Sequence, residues 1–241
     1  MHSFYIEPPV DGLAALPEDE AKHASKVLRL RPGDGVCAMD GAGHRWNARI
    51  EAMGDKVTVR LLEPLPDNES PVRVTLYQGL PKADKLDLLA QKLTELGVSA
   101  LVPVRMSRCV TKLDERDGAK RAERLQRIAD EAAKQCGRGL PLKILPPADW
   151  RGAMENMKGH DLILTPWEEA RGLRVREVHF NHPEARDIGI VIGPEGGMSQ
   201  AEVEALNAID ALIVTLGPRI LRTETAAIAA AAMVMSHWGD L

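Results

Sequence analysis

Two short blocks near the C-terminus carry the residues best suited to chemistry. One is Ile192-Gly193-Pro194-Glu195-Gly196-Gly197, and the other is Leu216-Gly217-Pro218-Arg219-Ile220-Leu221-Arg222-Thr223-Glu224-Thr225. Each follows a β-branched apolar run and precedes a helical stretch, so each reads as a strand-to-helix turn. Glycine lets backbone approach a ligand closely, and two such turns suggest two walls of one pocket. The polar candidates are Arg222, Glu195, Glu224 and Arg138. An arginine can steady negative charge that develops on a reacting group. A glutamate can accept a proton if burial raises its pKa. Each glutamate could equally serve helix-start electrostatics or a structural hydrogen bond, and for Glu224 that structural role is the favoured one. Neither block has the spacing of a P-loop or of a dinucleotide-binding G-x-G-x-x-G turn. Cys37, Cys109 and Cys136 form no C-x-x-C pair, and His179-x-x-His182 reads as a loop pair, so no metal site is expected.

The elements around the blocks can be read from local pattern. Ser199-Gln200-Ala201-Glu202 is a capping box, with Met198 and Val203 placed for a hydrophobic staple, so a helix starts just after Gly197. The last helix runs from about Thr223 to Trp238. Ile228, Met233, Val234 and Met235 among many alanines leave it apolar nearly all round, which calls for burial in its own domain or against a second copy.

The chain divides near residue 70. Before it, short strands at Gly35–Met39, Trp46–Ala52 and Lys56–Leu62 are separated by the turns Asp40–Gly43 and Gly54-Asp55, after one helix at about Glu18–Leu30. This predicts a small β-barrel over residues 1–70, followed by a proline-rich linker. Over residues 72–241, strands at 72–79, 101–104, 142–145, 162–165, 188–192 and 212–216 alternate with helices, among them 83–96 and 119–136. That alternation predicts an α/β domain with a mostly parallel sheet.

The 241 residues carry a net charge of −4, which argues against indiscriminate nucleic-acid binding. The distribution is uneven: residues 105–143 hold eleven Lys/Arg against six Asp/Glu, and Lys22, Lys26, Arg29 and Arg31 fall in a stretch without acids. Lys120, Arg124, Arg127, Lys134 and Arg138 recur at helical spacing as one stripe, and Lys22, Lys26 and Arg29 share a second face. A solvated helix face is the plain explanation of any single stripe. No segment reads as a signal peptide or membrane span, and a reducing cytoplasm is the expected compartment.

Taken together, I-G-P-E-G-G-M-S-x-x-E-V and L-G-x-R-I-L-R-T-E-T-A closely resemble the signature of the RsmE family, SPOUT-superfamily methyltransferases that modify N3 of a uridine in bacterial 16S ribosomal RNA. The resemblance extends to H-A-S-K-V-L-R-L-R-P-G-D (His23 to Asp34), K-L-T-E-L-G-V (Lys92 to Val98), S-R-C-V (Ser107 to Val110) and E-A-A-K-Q-C-G-R (Glu131 to Arg138). It implies a SPOUT-type trefoil-knotted parallel-sheet domain over 72–241, preceded by a PUA-like RNA-binding β-barrel domain over 1–70. It implies a homodimer formed through the SPOUT domain, with the last helix in the interface. It also implies S-adenosyl-L-methionine held by Leu164, Thr165, Pro166, Ile192, Gly193, Glu195, Gly196, Gly197, Leu216, Gly217, Ile220, Leu221 and Thr223, with Arg222 and Glu195 in the catalytic roles. The implied partner is 16S rRNA or the small ribosomal subunit. With that partner, Lys22, Lys26, Arg29, Arg31, Arg108, Arg124, Arg127, Lys134 and Arg138 become the expected phosphate-facing residues. Aromatic side chains are scarce, so shape and phosphate contacts should outweigh base stacking. Two other readings compete: the same fold acting on another acceptor, such as a tRNA ribose 2′-hydroxyl, and a non-enzymatic RNA-binding protein.

Overall fold

The computed structural model describes residues 1–54, 56–82, 84–110 and 115–241, with 115 and 116 by backbone only. Asp55, half of a predicted turn, and Ala83, the predicted first residue of a helix, lie outside the described residues. The described residues fall into two compact units.

The first unit comprises Met1–Glu69 and Glu131–Pro141. Its elements are β1 (His2–Tyr5), β2 (Leu13–Ala15), α1 (Glu18–Lys22), β3 (Gly35–Met39), β4 (Arg45–Ala52) and β5 (Thr58–Pro64). The sheet order is β1-β3-β4-β5-β2. The chain just beyond β1 bonds both to its neighbour β3 and to the opposite edge strand β2: Ile6 N–H donates to Met39 C=O at 3.0 Å and Glu7 N–H to Ala15 C=O at 2.9 Å. The sheet therefore closes on itself, which removes its exposed edges. Phe4, Val36, Ala38, Ile50 and Val59 fill the interior.

The predicted helix over 18–30 is corrected. The α-helix stops at Lys22, and His23–Val27 forms a π-helical turn. The segment ends with Arg29 in the left-handed region at φ 54° and Leu30 N–H donating to Ala24 C=O at 3.0 Å. That closure spans seven residues, one more than the Schellman helix ending, as the wider π-helical turn requires, and its left-handed position is one that usually holds glycine.

The second unit comprises Ser70–Asp130 and Leu142–Leu241. In chain order it contains β6 (Arg73–Gly79), α2 (Lys85–Glu95), β7 (Ala100–Arg105), most of α3 (Glu115–Cys136), β8 (Lys143–Ile144), β9 (Ala148–Asp149), α4 (Trp150–Met157), β10 (Leu162–Pro166), α5 (Val175–Asn181), β11 (Asp187–Ile192), α6 (Gln200–Asn207), β12 (Leu212–Val214) and α7 (Thr223–Trp238). The last turns of α3 group with the first unit, which a linear division at residue 70 does not capture.

The strand order is β12-β10-β11-β6-β7-β8, with β9 also on β7, and every pairing is parallel. Each strand face meets a different core. Val74, Leu76 and Ile190 point toward α2 and α7, while Tyr77, Val102 and Val191 pack with Met157, Val203 and Leu206. Burial on both faces explains why these strands read as continuous apolar runs.

Candidate active site

Parallel sheets place ligands outside the carboxyl ends of their strands. Here β10, β11 and β12 are neighbours, and their carboxyl ends lead into 166–167, 193–197 and 215–222. The two glycine turns predicted from sequence are thus brought side by side. One strand order does this: β11 pairs with β10 and β6, so the chain must cross β10 to reach β12.

Side-chain hydrogen bonds then tie the turns together. Thr223 Oγ1 donates to Gly193 C=O at 2.6 Å. Gln78, fully buried at the end of β6, donates through Nε2 to Thr223 Oγ1 at 2.8 Å, to Gly79 C=O at 2.9 Å and to Gly193 C=O at 3.3 Å. A Cβ on Gly79 would sit 2.6 Å from Pro194, so only glycine lets the first turn close over β6. Gly197 has φ +69°, and a Cβ there would meet Glu168 Oε1 at 2.5 Å. Ser199 caps α6 as predicted: its Oγ accepts from Glu202 N–H at 3.3 Å, and Glu202 Oε2 accepts from Ser199 N–H at 2.8 Å.

Lys85, near the start of α2, holds both turns by charge. Its Nζ lies 3.1 Å from Glu195 Oε1 and 2.8 Å from Glu224 Oε2. Lys82 N–H also donates to Glu195 Oε1 at 2.9 Å. Burial alone would raise both carboxyls. The Lys82 amide and Lys85 ammonium outweigh it at Glu195, and the Lys85 ammonium outweighs it at Glu224, so both stay below the usual carboxylate value. A Glu195 pKa raised by burial, the condition for its acting as a proton acceptor, is therefore corrected. Lys85 in turn is raised, chiefly by its bond to Glu224.

The remaining candidates are placed as follows. Leu164, Thr165, Pro166 and Ile192 are buried at the strand ends, and Thr223 is buried at the start of α7. Leu216 and Leu221 are half-buried, while Ile220 is 85% exposed and does not close an apolar slot. Gly196 is braced by Arg108, whose Nη1 donates to the carbonyls of Gly196 and Met198 at 3.2 Å each. Arg108, expected to face RNA, is exposed, and its guanidinium also supports the first turn. Gly217, at φ +121°, has open space where a Cβ would stand. Arg222 is exposed and occupies the N-cap position of α7.

The basic stripe on α3 is divided. Arg124 is half exposed and pairs with Asp87 at 2.5 Å, and Arg127 is exposed. Lys134 and Arg138 belong to the first unit and are held there as structural ion pairs. Lys134 Nζ lies 2.8 Å from Glu20 and 2.6 Å from Glu131, and buried Arg138 bonds Glu69 Oε2 at 2.8 Å. The expectation that these two face phosphate is corrected, because their charge is already matched and shielded from solvent. Lys22, Lys26, Arg29 and Arg31 are all exposed, with Lys22 paired to Glu18. His179 lies on α5 and stacks on His237 at 5.4 Å between ring centroids. Among the described residues no group of three or more His, Cys, Asp or Glu could hold a metal, and no helix is long and apolar enough to cross a membrane. Gln78 and Lys85 were missed by sequence reading. Their partners lie far along the chain, and no local pattern marks them.

One observation bears on whether S-adenosylmethionine fits here. Thr165 Oγ1, at the carboxyl end of β10, is fully buried and has no hydrogen-bond partner. A buried hydroxyl without a partner is costly unless something polar is to meet it. With the open space at Gly217, it gives the strand ends polar and steric room for a nucleoside.

An all-parallel sheet with two braced glycine turns at its carboxyl ends, joined to a small closed barrel, defines the architecture of an RNA methyltransferase. The family model described as an RNA methyltransferase domain matches residues 68–235, and that described as an RNA methyltransferase PUA domain matches residues 16–62. The chain belongs to the ribosomal RNA small subunit methyltransferase E (RsmE) family. It is 35% identical to the Bacillus subtilis member over 214 residues, covering 86% of this chain and 84% of that one. It is 31% identical to the Aquifex aeolicus member over 238 residues, covering 98% and 100%. The crystal structure of the Neisseria gonorrhoeae ribosomal RNA small subunit methyltransferase E bound to S-adenosyl methionine superposes with a TM-score of 0.88 at 34% identity, covering 100% of this chain and 99% of that one.

Proposed function

We propose that the protein transfers the methyl group of S-adenosylmethionine to N3 of a uridine in 16S ribosomal RNA of the small ribosomal subunit. The observation that carries this is the Thr223–Gly193–Gln78 bond set, which makes two distant glycine turns into one pocket edge. In this reading residues 1–70 are the PUA-like RNA-binding domain and residues 72–241 the methyltransferase domain. Leu164 to Pro166, Ile192 to Gly197, Leu216, Gly217, Leu221 and Thr223 would hold the cofactor, with Thr165 Oγ1 offering it a hydrogen bond. The trefoil knot implied by the family is part of this reading, and the bond from Thr215 N–H to Leu173 C=O at 2.9 Å, beside the segment leading into α5, supports it. Exposed Met233 on α7 and Leu88 on α2, two helices that pack together, supply apolar surface for the proposed homodimer.

The bound cofactor supplies an electrophilic methyl on a sulfonium, so no metal is needed. The protein's own residues do the rest. Uridine N3 lies on the base-pairing edge, so the base must be splayed out before it can react. N3 carries a proton that must leave, and the uracil is anionic as it attacks. Arg222, at the positive end of the α7 dipole, would stabilise that anion. Glu195 and Glu224, kept ionised by Lys85, position the turns; the N3 proton leaves to solvent or to a group brought by the RNA. Calorimetry with S-adenosylmethionine and nucleoside mass spectrometry of rRNA from a deletion strain test the proposal. Binding and loss of 3-methyluridine are expected. No detectable binding would sink the enzyme reading, and persistence of 3-methyluridine would sink this substrate.

A further inference from the structure

The start of α2 and the first half of α3 line a shallow, open hollow that the glycine turns do not use. Its volume is about 360 Å³, and its lining is Asp84, Lys120, Arg121 and Arg124. Arg121 has an interaction of its own, so Lys120 and Arg124 are the cations the hollow offers to a ligand. Lys120 and Arg124 are four residues apart on α3, so they lie one turn apart on one face with Arg121 beside them. Arg124 shares its charge with Asp87, but its side chain remains 49% exposed. Lys120 is exposed and has no ion pair among the described residues. The positive end of the 11-residue α2 opens toward the same place, and the Asp84 side chain does not cap it. The cationic head groups of the lining suit a singly charged anion with two free oxygens.

The position matters as much as the charge. Asp84 is followed directly by Lys85, whose ammonium touches Glu195 from the first turn and Glu224 from behind the second. We propose that this hollow seats a backbone phosphate of the RNA, next to the nucleotide that enters the cofactor pocket. The proposal rests on the RNA methyltransferase reading above. A splayed nucleotide loses its stacking and pairing, so its place must be fixed through the backbone on at least one side. A phosphate held one residue from Lys85 would set the register of the strand against the two turns.

The test uses the full-length protein, S-adenosylmethionine and small subunits from a strain lacking the enzyme. Lys120→Ala and Arg124→Gln change exposed side chains, and unchanged S-adenosylmethionine affinity would show that the fold survives. Lys120→Ala is expected to make the log affinity for RNA less steep against log salt by about 0.7–0.9, and Arg124→Gln, whose charge Asp87 already shares, by less. Single-turnover methyl transfer should slow by about tenfold, because the base is held less well. Lys120→Arg should restore both. Ethylating the subunit RNA at random neutralises single phosphates. Ethylation beside the target uridine should impair transfer by the unaltered protein but add no further loss in the Lys120→Ala/Arg124→Gln double variant. An equal loss in both proteins, or an unchanged salt slope, would overturn the phosphate seat alone. Absence of methyl transfer by the unaltered protein would instead overturn the reading on which it rests.

Discussion

Four charged side chains at the pocket edge, Lys85, Glu195, Glu224 and Arg222, divide the labour between structure and chemistry. Lys85 sits between Glu195 and Glu224, each only partly exposed, so both carboxylates depend on it for compensation. Both are held below the ordinary value of 4.5, so they contribute stability that is present above that value and lost as pH falls through their depressed range. Lys85→Met should therefore be less stable than the parent at pH 7, and the difference should shrink as the pH is lowered below about 4. Thermal melts across that range measure it; a gap that stays constant with pH would remove the ion pairs as its cause. S-adenosylmethionine affinity should fall by about tenfold at pH 7, since the two turns lose their shared clamp. Arg222 behaves differently. It is exposed and makes no side-chain hydrogen bond or ion pair among the described residues, and its charge adds only a minor part to holding Glu224 ionised, so Arg222→Ala should fold and bind cofactor normally while methyl transfer drops by about 10²–10³, the cost of losing one charge-stabilising group. Near-normal turnover in a single-turnover assay would take Arg222 out of the mechanism.

At the scale of elements, what could be read from sequence was what has local cause. The α6 start was legible because the capping box places both partners three residues apart, and the structure forms both bonds. Ser199→Ala should cost about 1 kcal/mol, which in a chain of this size lowers Tm by about 2–4 °C. The α7 boundaries at Thr223 and Trp238 were legible for a similar reason, a turn before and a glycine after. The pocket's closure was not legible, because Gln78 and Thr223 are 145 positions apart and meet only through the order of parallel strands. Nor could charge spacing separate a solvated stripe from Arg108, Lys134 and Arg138, whose partners lie far away in sequence. The short strands β1 and β2 were too brief to alternate visibly. The helix before β3 was misread because a 3.6-residue period was assumed where the chain takes a π-helical turn. That turn ends on Arg29 in the left-handed region, a conformation that costs a side-chain-bearing residue about 1–2 kcal/mol. Arg29→Gly should raise stability by about 1 kcal/mol in denaturant unfolding and yet weaken RNA binding. A variant that is both more stable and fully competent to bind would mean that Arg29 is not kept for RNA.

For the whole molecule, the net charge of −4 means that the long-range field does not favour RNA. Affinity must come from places where cations outnumber acids. Lys22, Lys26 and Arg29 form one such place in the first unit. Lys22 already has Glu18 at 2.5 Å, whereas Lys26 and Arg29 have no ion pair among the described residues. Each free cation set against a phosphate releases about 0.7–0.9 counterions, so the unpaired two should carry most of the effect. Changing all three to alanine should make the salt dependence of RNA binding shallower by about 1.5–2 in log–log slope. The loss should fall on affinity and spare the transfer step: at saturating RNA the methylation rate should be unchanged, because residues that only hold phosphate take no part in the chemistry. S-adenosylmethionine binding should be unaffected. Filter binding over a salt series, paired with single-turnover rates, separates the outcomes. An unchanged slope would mark this face as merely solvated. A reduced rate at saturation would mean that the first unit helps to align the base, and that grip and chemistry are not divided between the two units.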